Sequence, residues 1–394
     1  MKRMSNILAI TFLASAICRA GTINVTPANV RFTVVAGNAG STFNFAPGNY
    51  VGNANPNGFS FDWSSVPGTY VGNGANFSVN GVANSLIKFS GNVEISGFTF
   101  TGTQVLCQSG TFNVHDNTFT GGDLGLAILG DTNSKFVNNT FTNETGGGIG
   151  CTPGSGNTYS NNTFDNSREP IHLASAAAAN ITISGNKITR ASRYAIEVQI
   201  AANGLTVSNN DIRQWLANGD QGTGTIRTGV SIACSGTNIS ITDNQIIQDH
   251  YPGSAIYGPI GSAIEIMGDN NITISGNTMY NWGGPYLTGV HKGAVFTIKN
   301  NTIYGPAGDP NGHDPVDYPV LTPYLNPTDQ VLPLSAYQPP TTAPTTAPSS
   351  ALPAQTPPDA AAASTPPAVT HTISVSIDGT PVLQKQVLSD GSLK

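Results

Sequence analysis

Residues 112–119 read FNVHDNTF, 134–141 SKFVNNTF, 157–164 NTYSNNTF, 181–188 ITISGNKI and 205–212 LTVSNNDI. The same frame returns as VEISGFTF at 93–100, ISITDNQI at 239–246, ITISGNTM at 272–279 and FTIKNNTI at 296–303. Each copy alternates apolar and polar residues, bends over two residues and alternates again. That pattern predicts two short strands joined by a bend. The bend holds an asparagine at 117, 139, 162, 186, 210, 244, 277 and 301, with spacings of 22, 23, 24, 24, 34, 33 and 24 residues. A period in the low twenties suits one coil of three short strands. Asparagine tolerates left-handed backbone angles and bonds nearby backbone. The bend asparagines are therefore expected to take the turn conformation and to stack into a ladder from coil to coil.

A third alternating strand lies between the copies: LAI (126–128), IGC (149–151), IHL (171–173), IEV (196–198), VSI (230–232) and IEI (264–266). Its outer residues face inward and its middle residue faces solvent. The second strands of successive coils align Phe100, Phe119, Phe141 and Phe164, then Ile188, Ile212, Ile246, Met279 and Ile303. Such a column is buried only when coil stacks on coil. Cys107 and Cys151 fall at equivalent inward positions two coils apart, roughly 10 Å, which is too far for a disulfide. With Cys234 they are expected to be buried free thiols.

This repeat resembles the right-handed parallel β-helix proteins of the pectin-lyase-like superfamily, and TFNFAPGNY (42–50) resembles their opening strand and turn. The resemblance covers about residues 86–304. It implies an all-β fold, a single-stranded right-handed parallel β-helix of about nine to ten coils with an Asn ladder. It does not fix a function, because the same solenoid carries lyases, hydrolases, epimerases, phage tailspikes and adhesins.

Composition agrees with a solenoid. Only 10% of the 394 residues are charged, against roughly 25% in an ordinary soluble domain. Gly (45) and Pro (26) are abundant, which excludes a helical bundle or coiled coil. The formal net charge is −6, unlike a general nucleic-acid binder. Residues 1–20 read as a cleavable signal peptide, with Lys2 and Arg3 ahead of the apolar stretch ILAITFLASAI (7–17) and a small-residue site at 18–20. The apolar stretch is too short to span a bilayer. The expected organisation is then a β-helix domain over 21–338 with a C-terminal wrapping segment, a Pro/Ala/Thr-rich disordered linker over 339–369, and a short β-hairpin or partial module over 370–394. A secreted, periplasmic or cell-surface monomer without a membrane span is expected.

Two coils are longer than the rest, with extra residues at 213–228 and 247–262. Loops lodged on a rigid scaffold are where function is carried. The outward position of the third strand is read as Leu106, Ala127, Gly150, His172, Glu197, Ser231 and Glu265, turning ionisable where the loops lengthen. The chain has five glutamates, and two stand in this column. Arg168, Arg193 and Arg227 form a second column, and with Arg190 and Arg213 they place five of eight arginines in one window. Guanidinium binds carboxylate or sulfate in a bidentate fork, so this strip suits repeated anions. Trp215, Tyr251, Tyr257, Tyr280, Trp282 and Tyr286 add aromatic faces for sugars.

Glu197 and Glu265 are two coils apart, roughly 10 Å at the backbone, and inverting glycosidases hold their carboxyl groups about 6.5–9.5 Å apart. A lyase needs a base, a cation that neutralises the uronate carboxylate, and an acid for the leaving oxygen. The resemblance places a substrate cleft near 168–291, and the Asp constellation of the polygalacturonases of this fold is missing. The reading is a secreted enzyme acting on an anionic, uronate-containing polysaccharide. Glu197, Glu265, His172, Arg193 and Arg227 are its candidate catalytic residues; Arg168, Arg213, Ser231, Trp215, Tyr251 and Trp282 are its candidate substrate-binding residues. A lyase stands ahead of a glycoside hydrolase because of the arginine strip, and a non-catalytic carbohydrate-binding or adhesin β-helix is the third reading. No cofactor is assigned; Ca²⁺ held by Glu197 or Glu265 with Asp249 or Asp269 stays open.

Overall fold

A computed structural model describes residues 21–53, 60–80, 86–174, 178–215, 229–249, 261–280, 286–288, 295–304, 327–332, 334–337, 369–377 and 380–388. The signal-peptide reading and the linker lie outside these residues. Seventeen strands form one parallel sheet and twelve short strands form a second. In the first sheet, long bent strands such as Gln104–His115, Ile196–Ser208 and Gly229–Thr242 join the third strand of one coil to the first strand of the next. The second sheet collects the short strands that follow each bend, Thr99–Thr101 through Thr302–Tyr304. Its twelve strands exceed the nine to ten coils expected, because Gly48–Asn53 and Ala75–Asn80 pair in the same way without an Asn-Thr-Phe signature. Residues Gln330–Leu332 add the last strand, and the Tyr337 ring lies 4.3 Å from that of Tyr280.

The core column is as the repeat requires. Phe119 pairs in register with Phe100 and Phe141, Phe141 with Phe164, and the line continues through Ile188, Ile212, Ile246, Met279 and Ile303. Phe141 stacks on Phe119 at 4.7 Å and on Phe164 at 4.8 Å, tilted only 7° each way. Each such pair contributes about 0.5–1.5 kcal/mol beyond its buried area, so Phe141→Leu is expected to cost ~2 kcal/mol in chemical denaturation. Cys107 and Cys151 are separated in register by Ile128. Cys107 and Cys234 are free and buried, and burial pushes both thiols up.

The asparagines form the ladder. The Oδ1 of Asn162 accepts from the backbone N–H of Asn139 (2.9 Å) and from its Nδ2 (3.2 Å). The Nδ2 of Asn162 donates to Phe136 O (2.9 Å) and to Asn186 Oδ1 (3.0 Å). The same set repeats along the stack, starting where Phe98 N–H donates to Asn117 and ending where Asn301 donates twice to Asp329. One expectation is corrected. The left-handed residue is the one before each ladder asparagine: Asp116, Asn138, Asn161, Gly185, Asn209, Asp243, Gly276 and Asn300, with φ between 55° and 70°. That residue makes the turn, which leaves the following amide free to point inward and bond its neighbours.

The chain divides into two compact units, Met1–Gln338 and Pro339–Lys394. The second holds two antiparallel strands, Val369–Ile377 and Thr380–Leu388.

Candidate functional site

The site lies where the chain leaves the second sheet after Lys187–Ala191 and enters Ile196–Ser208. The corner between them, residues 192–195, is fixed by backbone bonds to both sides: Arg193 N–H donates to Arg168 O (3.0 Å), and Ala195 N–H to Ser231 O (2.9 Å). The fully buried Gln214 donates its side-chain amide to Arg193 O. Arg193 and Tyr194 therefore leave a rigid corner and face the outward column of the third strands.

The register sets that column. His172 pairs with Gly150 on one side and Glu197 on the other; Glu197 pairs with Ala233, and Ala233 with Glu265. Ser231 is thus not the coil member between the two glutamates. It is fully buried, and the small Ala233 holds that place. The sequence V-S-I-A-C alternates over five residues, so the pattern admits either frame, and only cross-coil pairing selects one. Glu197 and Glu265 stand two register steps apart, roughly 9.6 Å at about 4.8 Å per step. On the other side, a Cβ at Gly150 would meet Leu124 Cδ1 at 3.0 Å. Leu124 covers Gly150, so the ionisable part of the column opens only from His172 onward.

Five side chains form one network. His172 Nδ1 lies 3.0 Å from Glu169 Oε2, and His172 Nε2 lies 3.5 Å from Glu197 Oε2. The other oxygen of Glu169 pairs with Arg193 Nη1, and Glu197 Oε1 accepts from Gln199 Nε2. Both carboxylates are nearly sealed from solvent, with side chains 9% and 4% exposed, whereas His172 and Arg193 are about one-third exposed. His172 and Arg193 therefore present the network to the outside. The Arg193 guanidinium also lies over the Tyr194 ring, 4.9 Å from its centroid.

The electrostatics follow from this packing. Hydrogen bonding to Glu169, with the charges of Glu197 and Glu169, raises His172 above the usual imidazole range against the opposing effect of burial. Burial alone would raise Glu169, but the His172 hydrogen bond and Arg193 more than offset it, and its carboxyl is lowered. Burial raises Glu197, and burial raises Glu265. The Tyr194 phenol is raised by burial and then by Glu197, and it also feels Glu265. Tyr194 thus reports on both glutamates of the column.

Other candidates fall elsewhere. Arg213 lies in the second sheet between Thr189 and Ile247, with Nε 3.9 Å from Asp211, away from the Glu197 column. Arg190 is paired with Asp165 in that same sheet. Arg168 stacks one coil before Arg193, and its charge helps to lower Glu169. Arg227, Tyr251 and Trp282, and the side chain of Trp215, lie outside the described residues. Sequence reasoning missed Glu169 as a site residue, and also Tyr194. The available signal was the scarcity of glutamate, with Glu169 three residues before His172.

Glu169, His172 and Glu197 bring one donor atom each within 4.8 Å of one another. The donor set does not fit a hard cation such as Ca²⁺, which takes six to eight oxygens. Here one carboxylate is neutralised by Arg193, and both imidazole nitrogens face carboxylates. The side chains of Asp249 and Asp269 lie outside the described residues.

The chain is similar to a solved alginate lyase from Paenibacillus sp. str. FPU-7, with 14% identity, covering 69% of this chain and 99% of that one at a TM-score of 0.39. No curated protein matches it. Residues 49–246 match the family model described as the right handed beta helix region. That span is half of the chain, its coils are those described above, and the chain therefore belongs to the right-handed β-helix family.

Proposed function

We propose that the protein is a secreted, monomeric enzyme that cleaves an anionic, uronate-containing polysaccharide by β-elimination. The observation that carries this reading is the outward column His172–Glu197–Ala233–Glu265 with Arg193 at its edge. It joins two solvent-facing cations to two carboxyl groups raised by burial. Arg193 and the His172 imidazolium would meet the uronate carboxylate and stabilise the charge that develops when the neighbouring proton leaves. Glu265, for which the described residues supply no hydrogen bond or ion pair, would take that proton. Glu197, protonated more readily than a solvated carboxyl, would return one to the leaving oxygen through its contact with His172. The small Ala233 leaves room for a sugar between them. Secretion rests on the charged start and short apolar stretch of residues 1–20. No helix among the described residues is long and apolar enough to cross a membrane.

The Glu197–Glu265 spacing also favours a second reading, inverting hydrolysis with Glu197 as acid and Glu265 as base. A panel of pectate, alginate, glycosaminoglycans and neutral glucans separates the two. Rising ultraviolet absorbance of unsaturated ends together with new reducing ends is the expected result. Reducing ends alone would replace elimination by hydrolysis, and silence with tight glycan binding would replace both by a binding scaffold. On the active substrate, Glu197→Gln and Glu265→Gln are each expected to lower turnover about 100-fold or more with an unchanged circular dichroism spectrum.

A further inference from the structure

We propose that Glu169 is a positioning residue, whose two carboxylate oxygens hold His172 as an imidazolium aimed at Glu197 and hold Arg193 beside it. The argument begins with hydrogen-bond inventory. An ionised carboxylate only accepts, so Nδ1 of His172, 3.0 Å from Glu169 Oε2, must carry a proton. Nε2 lies in ion-pair range of a second carboxylate, Glu197 Oε2, at 3.5 Å. A ring set between two carboxylates is stabilised as the imidazolium by both charges. Charge supports the same conclusion. Two nearly buried carboxylates need two cations, and Arg193 and His172 supply them.

The division of labour within Glu169 is specific. One oxygen goes to the ring and the other to the guanidinium, so the carboxylate bridges two cations that would otherwise repel. The backbone reinforces this: Glu169 N–H donates to Gly146 O, and Arg193 N–H is tied to Arg168 O. Among the described residues, the groups facing His172 are few. The preceding coil offers Gly150, without charge; its own strand offers Glu169; the following coil offers Glu197 and Gln199, with Arg193 beyond. Glu169 is therefore the anion on Nδ1, and Glu197 the anion on Nε2.

The functional consequence rests on the elimination reading: His172 acts as a cation that supplies Glu197 with the proton it returns to the leaving oxygen, and the base is Glu265. The charge state itself does not depend on that reading. Nitrogen chemical shifts of ¹⁵N-labelled wild-type protein, with His172 assigned by the resonance that disappears in His172→Asn, test it directly. The expected spectrum at neutral pH shows both ring nitrogens protonated, and a single neutral tautomer there would overturn the proposal. In Glu169→Gln the titration midpoint of His172 is expected to move to lower pH, while Glu169→Asp, which keeps the charge, restores most of it. A midpoint unmoved in Glu169→Gln would assign control to Glu197 and overturn the positioning role. If Glu169→Gln does not fold, the wild-type shifts alone decide. A silent polysaccharide panel with a doubly protonated His172 would remove the enzyme reading and leave this one standing.

Discussion

Asn162→Ala is expected to destabilise the solenoid by ~4 kcal/mol, read as the shift of the denaturant midpoint at constant slope. The side chain is fully buried and makes four hydrogen bonds, accepting twice from Asn139 and donating to Phe136 O and Asn186 Oδ1. Alanine leaves a cavity and strips partners from groups that water cannot reach. A buried polar group left unpaired costs about 1–3 kcal/mol, and at least two lose their main partner here. Asn139 Nδ2 keeps Val114 O and Val137 O, which limits the total. The discriminating control is Asn143→Ala. That side chain accepts from Asn166 Nδ2 at 2.7 Å at the exposed surface, and the substitution is expected to cost well under half as much. Equal losses at the two sites would mean that the ladder is not what holds the coils in register.

Glu144→Gln is expected to stabilise the protein by ~3 kcal/mol at pH 8 and to change little at pH 5. Glu144 is 1% exposed, and its Oε2 has no hydrogen-bond partner among the described residues. It is held against Gly122, where a Cβ would come within 2.7 Å of that oxygen. Burial pushes its carboxyl up to about 7 from 4.5, Asp123 adds to the rise, and the Gly122 backbone opposes it. The sign follows from proton binding. The folded state holds this proton more tightly than the unfolded state, so stability is full below pH about 4.5 and is lost as pH rises to about 7. Glutamine keeps the shape without the charge and removes that loss. Thermal melts of wild type and variant across pH 5–8 should converge at the acid end and separate at the basic end. Parallel curves would mean that Glu144 is ionised and solvated in the folded state.

The fold was legible because its signals are periodic and redundant. Eight bend asparagines and a column of Phe, Ile and Met fix the coil independently, and the two agree. Where only one weak signal was present, the reading slipped. The first coils carry Gly-Asn-Tyr and Ala-Asn-Phe in place of Asn-Thr-Phe, so the sequence marks only an opening strand and turn there and not two full coils. Ser231 and Ala233 share one strand parity, and no feature local to the sequence tells which of them faces Glu197. His172 and Glu197 were legible as neighbours because one residue per coil projects outward at the same place. Glu169 was not, because its role depends on a reach across coils to Arg193, 24 residues away, and on the same side chain turning back to its own strand. Spacing reports where backbones meet; it does not report how one carboxylate divides its oxygens.

The ladder also bears on how such a protein can change. Asn210 bonds Asn244 at 3.0 and 2.9 Å across 34 residues, and Asn186 bonds Asn210 at 3.0 and 2.9 Å across 24. The ten-residue difference does not alter the rungs, whose bonds keep the same lengths on either side. Lengthening the connection between two rungs carries an entropic cost that grows only with the logarithm of its length. Insertions between rungs are therefore nearly neutral for folding. The stack acts as a fixed spine that accepts chain of varying length between its rungs without renegotiating the architecture beneath it.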